Sequence, residues 1–151
     1  AGFAAVDSTD RRASNTGIAA LQAGALGLLG DLALEYALGR SRPTDGKGTT
    51  DFHPFESGNT DSSFPSTHAT LAWSLLTPFA SEYELPWVYG AAALTNFARI
   101  SDGSHWFSDT VGGGLLGFGL GKVFWEWRRT PDDTVRVGVG PGGIRASVPL
   151  R

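Results

Sequence analysis

Cysteine and methionine are both absent from the 151-residue chain, and histidine occurs only three times. Without cysteine there is no disulfide framework and no thiolate metal site. Charge is scarce as well. Asp, Glu, Lys and Arg make up 18% of the residues and the formal net charge is −3, against about a quarter charged in an average domain. Proteins that hold nucleic acid ordinarily present a basic face, so this balance argues against a nucleic-acid partner. Long apolar runs are missing too. Ala13 to Gly30 is uncharged but includes Ser14, Asn15, Thr16 and Gln22, and the run from Thr110 to Gly121 is closed by Lys122, short of the ~20 residues that a bilayer span needs. The expectation is a soluble or membrane-peripheral chain. Because a translation product opens with methionine, the start AGFAAVDSTD is expected to belong to a processed or trimmed chain.

What is present is glycine, 21 residues, and a hydrophobic share of 41%, a composition suited to closely packed helices in one domain. From about Arg11 to Gly39 apolar residues recur at Ile18, Leu21, Ala25, Leu28, Leu29, Leu32 and Tyr36, the spacing of one helix with a single apolar face. Gly39 and Pro43 end it. Residues 40–65 are rich in Pro, Gly, Ser, Thr and Asp, a loop of a length that is usually functional. Further helices are predicted from Ser66 to about Ala80, from Pro86 to about Ile100, and from about Ser108 to Trp127. In the last, Gly113, Gly117 and Gly121 fall four apart, a small-residue face that lets a neighbour approach closely. Val135, Val137 and Val139, then Ile144, Ala146, Val148 and Leu150, alternate on either side of GPGG, the mark of a β-hairpin. The expected fold is mainly α: one domain over residues 1–151, with a helical core at about 10–129 and a hairpin at about 134–150.

Two of the three histidines stand in FPSTHAT, residues 64–70, and ARISDGSHWFSDTVGG, residues 98–113. Ser66 is placed to cap a helix, and a helix N-terminus attracts anions such as phosphate. His68 lies in that first turn. His105 and Asp109 are four apart, the spacing of one helical face, and a carboxylate on one ring nitrogen would leave the other free to attack or to accept a proton. Arg99, Arg40 and Arg42 offer forked donors suited to phosphate oxygens. Taken singly, each of these has a plain reading: a surface ion pair, a cap, a basic helix end.

Their order resembles the type 2 phosphatidic acid phosphatase superfamily, which includes class A acid phosphatases and vanadium haloperoxidases. Its signatures are Lys-x6-Arg-Pro, Pro-Ser-Gly-His and Ser-Arg-x5-His-x3-Asp. They are matched here by EYALGRSRP with Arg42-Pro43, by PSTH with Pro65, Ser66 and His68, and by ARISDGSHWFSD with Arg99, His105 and Asp109. The resemblance runs from about Asp10 to Lys122. It implies a helical bundle with a phosphate pocket at its helix ends. His105 would attack phosphorus, Asp109 would orient its ring, and His68 would protonate the leaving oxygen. Arg42, Arg99, Ser66 and the N–H groups at Thr67 would hold the phosphoryl oxygens. No metal or other cofactor is implied, and phosphate or orthovanadate is expected to occupy the pocket. The implied partner is a phosphorylated small molecule or lipid, with association to a membrane surface and a location outside the cytoplasm, periplasmic or membrane-associated.

Three positions depart from the signatures. The lysine is Glu35, the glycine is Thr67 and the first serine is Ala98. Glu35 is expected either to pair with Arg42 or Arg40, to be compensated by Lys47, or to retune the site. Two other readings follow: a vanadium-dependent haloperoxidase, disfavoured by the short chain, and a binding relative with a weakened site. His53, in the long loop, is expected to be a surface residue, and the five tryptophans to be core or interface residues.

Overall fold

The computed structural model describes residues 2–56, 62–129, 136–140 and 143–147. Four helices carry the fold: α1 (Gly2–Leu38), α2 (Thr67–Glu82), α3 (Val88–Ser101) and α4 (Phe107–Arg128). They bear out the predicted bundle, with α1 starting earlier and α3 two residues later than the pattern suggested. Gly39 ends α1 in the left-handed region, φ 59°, where its N–H still reaches the Glu35 carbonyl at 2.9 Å; only glycine adopts that conformation without strain. A 3-10 turn at Pro43–Asp45 opens the loop that follows. At the C-terminus β1 (Arg136–Gly140) and β2 (Gly143–Ser147) pair antiparallel, Val139 opposite Ile144. Pro141 and Gly142, and the predicted strand residues Val135, Val148 and Leu150, lie outside the described residues.

α1, α2 and α4 pack against one another, and α3 closes mainly against α2. Small residues make that packing. Along α2 the buried positions Ser66, Thr70, Ser74 and Thr77 follow one another at helical spacing. They meet Gly27 of α1 and the glycine ridge of α4. A Cβ on Gly113 would come within 2.5 Å of the Ser66 carbonyl oxygen, one on Gly117 within 2.9 Å of the Ser74 nitrogen, and one on Gly121 within 2.6 Å of Thr77 Cβ. The predicted small-residue face is therefore where two backbones meet.

The large apolar residues point the other way. Ile18, Leu21, Ala25, Leu28, Leu29, Leu32 and Tyr36, which the helical period marked as one apolar face, are all exposed, Leu21 by 68% and Leu29 by 63%. The buried side of α1 is instead Thr16, Ala19, Ala20, Ala23, Asp31 and Glu35. The same inversion holds for Leu94, Phe97, Phe107, Leu115 and Val123. Trp87 and Trp127 are each 71% exposed, so these two are not core residues. A run of 28 residues in α1, Arg11–Leu38, is long and apolar enough to cross a bilayer by length and composition.

Candidate active site

One end of the bundle gathers the residues singled out from the sequence. The C-terminus of α1 brings Glu35 and, through the following turn, Arg40 and Arg42. The first turn of α2 brings Ser66, Thr67 and His68, the last turn of α3 brings Arg99, and the approach to α4 brings His105 and Asp109. The two N-termini are tied together, since the Ser66 N–H donates to the Asp109 carbonyl at 3.1 Å.

His105 is buried, with 4% of its surface exposed. Its Nδ1 lies 2.7 Å from the carbonyl oxygen of Ser63. A carbonyl only accepts, so Nδ1 carries the proton and Nε2 carries the lone pair. The main chain of His105 is fixed too, its N–H donating to the Arg99 carbonyl at 3.2 Å. Burial holds the imidazole below its ordinary value of 6.5; Arg42 and Arg99 push the same way, while the Ser63 carbonyl and Asp109 oppose them. The result is a neutral ring with a fixed tautomer, the state in which imidazole is a nucleophile.

Around it stand donors. Arg42 Nη1 donates to the Ser104 carbonyl at 3.1 Å, and Arg99 Nη1 donates to Asp102 at 2.7 Å, which sets both guanidinium groups beside the His105 turn. The Nε of Arg99 and the hydroxyl of Ser66 are buried without a hydrogen-bond partner. Leaving such groups unsatisfied costs about 1–3 kcal/mol each. The N–H groups of residues 67–69 begin α2 and have no helical acceptor. His68, second in that helix, is exposed, open to a substrate arriving from solvent.

Two roles expected from the sequence change, those of Asp109 and Ser66. Asp109 does not hold the His105 ring. One of its oxygens accepts from Arg40 Nη1 and the other from the Trp106 N–H at 2.8 Å, so the carboxylate caps α4 and the Ser63 carbonyl orients the histidine. Ser66 occupies the cap position of α2, but its hydroxyl makes no capping bond. Glu35 accepts a hydrogen bond from the Thr67 hydroxyl at 3.1 Å, while the Arg40 guanidinium goes to Asp109, Ser108 and the Thr49 carbonyl. The departures at Glu35 and Thr67 thus touch one another. Lys47 faces Asp51 at 4.0 Å, and His53 also lies against Asp51, at 2.9 Å, a loop contact as expected. Ser63 was missed because a main-chain carbonyl leaves no trace in residue type.

A cleft at the opposite end of the bundle is lined by Arg12, Thr16, Glu82, Trp125, Arg128 and Arg129. Arg12 is paired there with Glu82, and Trp125 Nε1 donates to the same carboxylate at 2.7 Å. None of these side chains is an activated nucleophile.

Residues 17–132 match the PAP2 superfamily, and the chain belongs to it. The sequence is also 32% identical over 98 residues to "Lipid A 1-phosphatase" of Porphyromonas gingivalis, an alignment covering 60% of this chain and 19% of that protein. The chain thus spans about a fifth of the length of the relative it matches. No solved structure matches.

Proposed function

We propose that this PAP2-superfamily chain is a metal-independent phosphatase acting on a lipid phosphate, a lipid pyrophosphate or a related phosphomonoester through a phosphohistidine. The observation that carries this reading is the His105 ring, protonated at Nδ1 by its 2.7 Å contact with Ser63 and neutral in its burial. The Nε2 lone pair attacks phosphorus. As the P–N bond forms, the bond from phosphorus to the leaving oxygen breaks, and that oxygen takes a proton from His68. Water then attacks the phosphohistidine and gives its proton back to His68. The P–N bond breaks, phosphate leaves, and the lone pair returns to Nε2. Arg42, Arg99, the Ser66 hydroxyl and the N–H groups of the first turn of α2 hold the equatorial oxygens, where phosphoryl transfer needs most of its stabilisation.

The outward display of large apolar side chains over a core of Ala, Gly, Ser and Thr supports placement in a bilayer. Association between helices there rests on close small-residue contacts, not on expulsion of apolar surface from water. Lys122, Arg128 and Arg129 cluster with Trp125 and Trp127 at the end away from His105. Basic residues favour the cytoplasmic face and tryptophan either interface, which supports a reacting end outside. The relative's name supports a phosphorylated lipid as substrate. The contact between Glu35 and Thr67 supports a pocket retuned from the family pattern.

Hydrolysis of an aryl phosphate in detergent, with chelator present and orthovanadate as inhibitor, tests the reading. Vanadate-sensitive release of phosphate that survives the chelator is expected. Release that needs an added metal ion, or none at all from a folded protein, would contradict it.

A further inference from the structure

The signature that contains Arg42 assigns nothing to the position two residues before it, yet Arg40 is 8% exposed and engaged on every side. Its N–H donates to Ser62 Oγ at 2.9 Å, and its carbonyl accepts the Ser63 N–H at 2.8 Å. The main chain of Arg40 therefore places the very carbonyl that receives His105 Nδ1. Its guanidinium grips the other flank. Nη1 donates to Asp109 and to Ser108 Oγ, the latter at 2.7 Å, and Nε donates to the Thr49 carbonyl at 3.0 Å. The Phe52 and Trp106 rings stand 5.3 and 5.8 Å from its central carbon, within cation–π range. One residue thus holds both segments that frame His105: the stretch before α2 and the first turn of α4.

We infer that Arg40 is a positioning residue for His105, fixing the ring between Ser63 and α4 and neutralising Asp109, so that a neutral carbonyl and not a carboxylate sets the tautomer of the nucleophile. The inference rests on the proposed role of His105. A purely structural role would be that of any buried ion pair, which holds a fold but leaves the histidine's chemistry alone. The two differ in what His105 feels. Facing the ring are Arg42 from the loop after α1, Arg99 from α3, Asp102 from the turn after α3, and Asp109 from α4. Removing Arg40 leaves Asp109 a buried carboxylate without its cation, two elements away from the contact that Ser63 makes. That charge favours the imidazolium and pulls at the ring.

The test compares Arg40→Gln and Arg40→Lys with the wild-type chain in detergent micelles. It follows the His105 imidazole by NMR titration and, separately, kcat and KM on an aryl phosphate. In Arg40→Gln the His105 titration should move to higher pH. The value of kcat should fall roughly a hundredfold, the scale of a misplaced reacting group, with KM nearly unchanged. In Arg40→Lys the charge is kept and the fork lost, so the titration should stay where it is while kcat still falls about tenfold. A folded Arg40→Gln with an unmoved His105 titration and wild-type kcat would overturn the inference. Were Arg40→Gln not to fold, wild-type kcat in Arg40→Lys would do the same. A wild-type chain without turnover would sink the phosphatase reading alone, because the titration of His105 decides the role of Arg40 without it.

Discussion

Of the three histidines, His53 lies in a loop against Asp51, His68 is exposed at the start of α2, and His105 alone is buried. Burial that lowers the His105 value has two consequences of opposite kind. For activity, the group must be neutral to attack, so the acid limb of kcat/KM should fall below the ordinary imidazole value of 6.5, as a pH profile on an aryl phosphate will show. For stability, the unfolded chain binds the proton more tightly than the folded one. The contribution is therefore fully present above 6.5 and is lost as the pH falls through that value, which thermal melts at pH 7.5 and 5.5 would register, compared with the same pair of melts for His105→Gln. Glu35→Gln keeps an acceptor for Thr67 and removes a negative charge beside the turn proposed to receive the phosphate. It should raise kcat/KM for a dianionic aryl phosphate by about tenfold, on the order of 1.4 kcal/mol. A fall would give Glu35 a positive role in the reaction. The spacing of Arg99, His105 and Asp109 was legible because it is written in residue types. The partner of His105 was not, since any residue at position 63 supplies a carbonyl.

Among the elements, α2 and α4 approach until only hydrogen fits between them at Gly117, where a Cβ would strike the main chain of Thr70 and Ser74. Gly117→Ala should lower stability by about 1–3 kcal/mol, the usual cost of overpacking. Gly119, two residues on, faces open space: a methyl group there would meet nothing within 4 Å, so Gly119→Ala should be neutral or stabilising by up to about 1 kcal/mol. Melting of the two variants side by side in detergent separates the ridge from ordinary helix propensity; equal effects would mean that the helices sit further apart. The four-residue repeat of glycine made this contact readable beforehand. The polar face of α2 was not, because Ser66, Thr70, Ser74 and Thr77 are residue types that usually mark a solvated surface.

At the scale of the whole molecule, helical periodicity located the apolar face of α1 without saying whether it lies inside or outside. The period says which residues share a face, but only the surroundings say which face is inside. Leu21, Leu28 and Leu32 read as core if the surroundings are water, whereas Ala19, Ala23 and Asp31, at the same period on the other side, are what is buried. The bilayer placement proposed above would reconcile the two. Leu29→Arg on the outward face should therefore reduce the fraction of chain retained in membranes after an alkaline wash, since an arginine at mid-span costs about 2.5–3.5 kcal/mol; a water-soluble domain would tolerate it. Chemistry at the other end of α1 is the central claim, and trapping the intermediate tests it most directly. A 32P-labelled lipid phosphate or aryl phosphate is mixed with the protein, quenched in alkali within milliseconds, and the label is located by peptide mapping. The account predicts an acid-labile, base-stable phosphoryl group on His105, absent from His105→Ala, which should lose turnover while keeping its helical spectrum. Label on another residue, or undiminished turnover in His105→Ala, would contradict it.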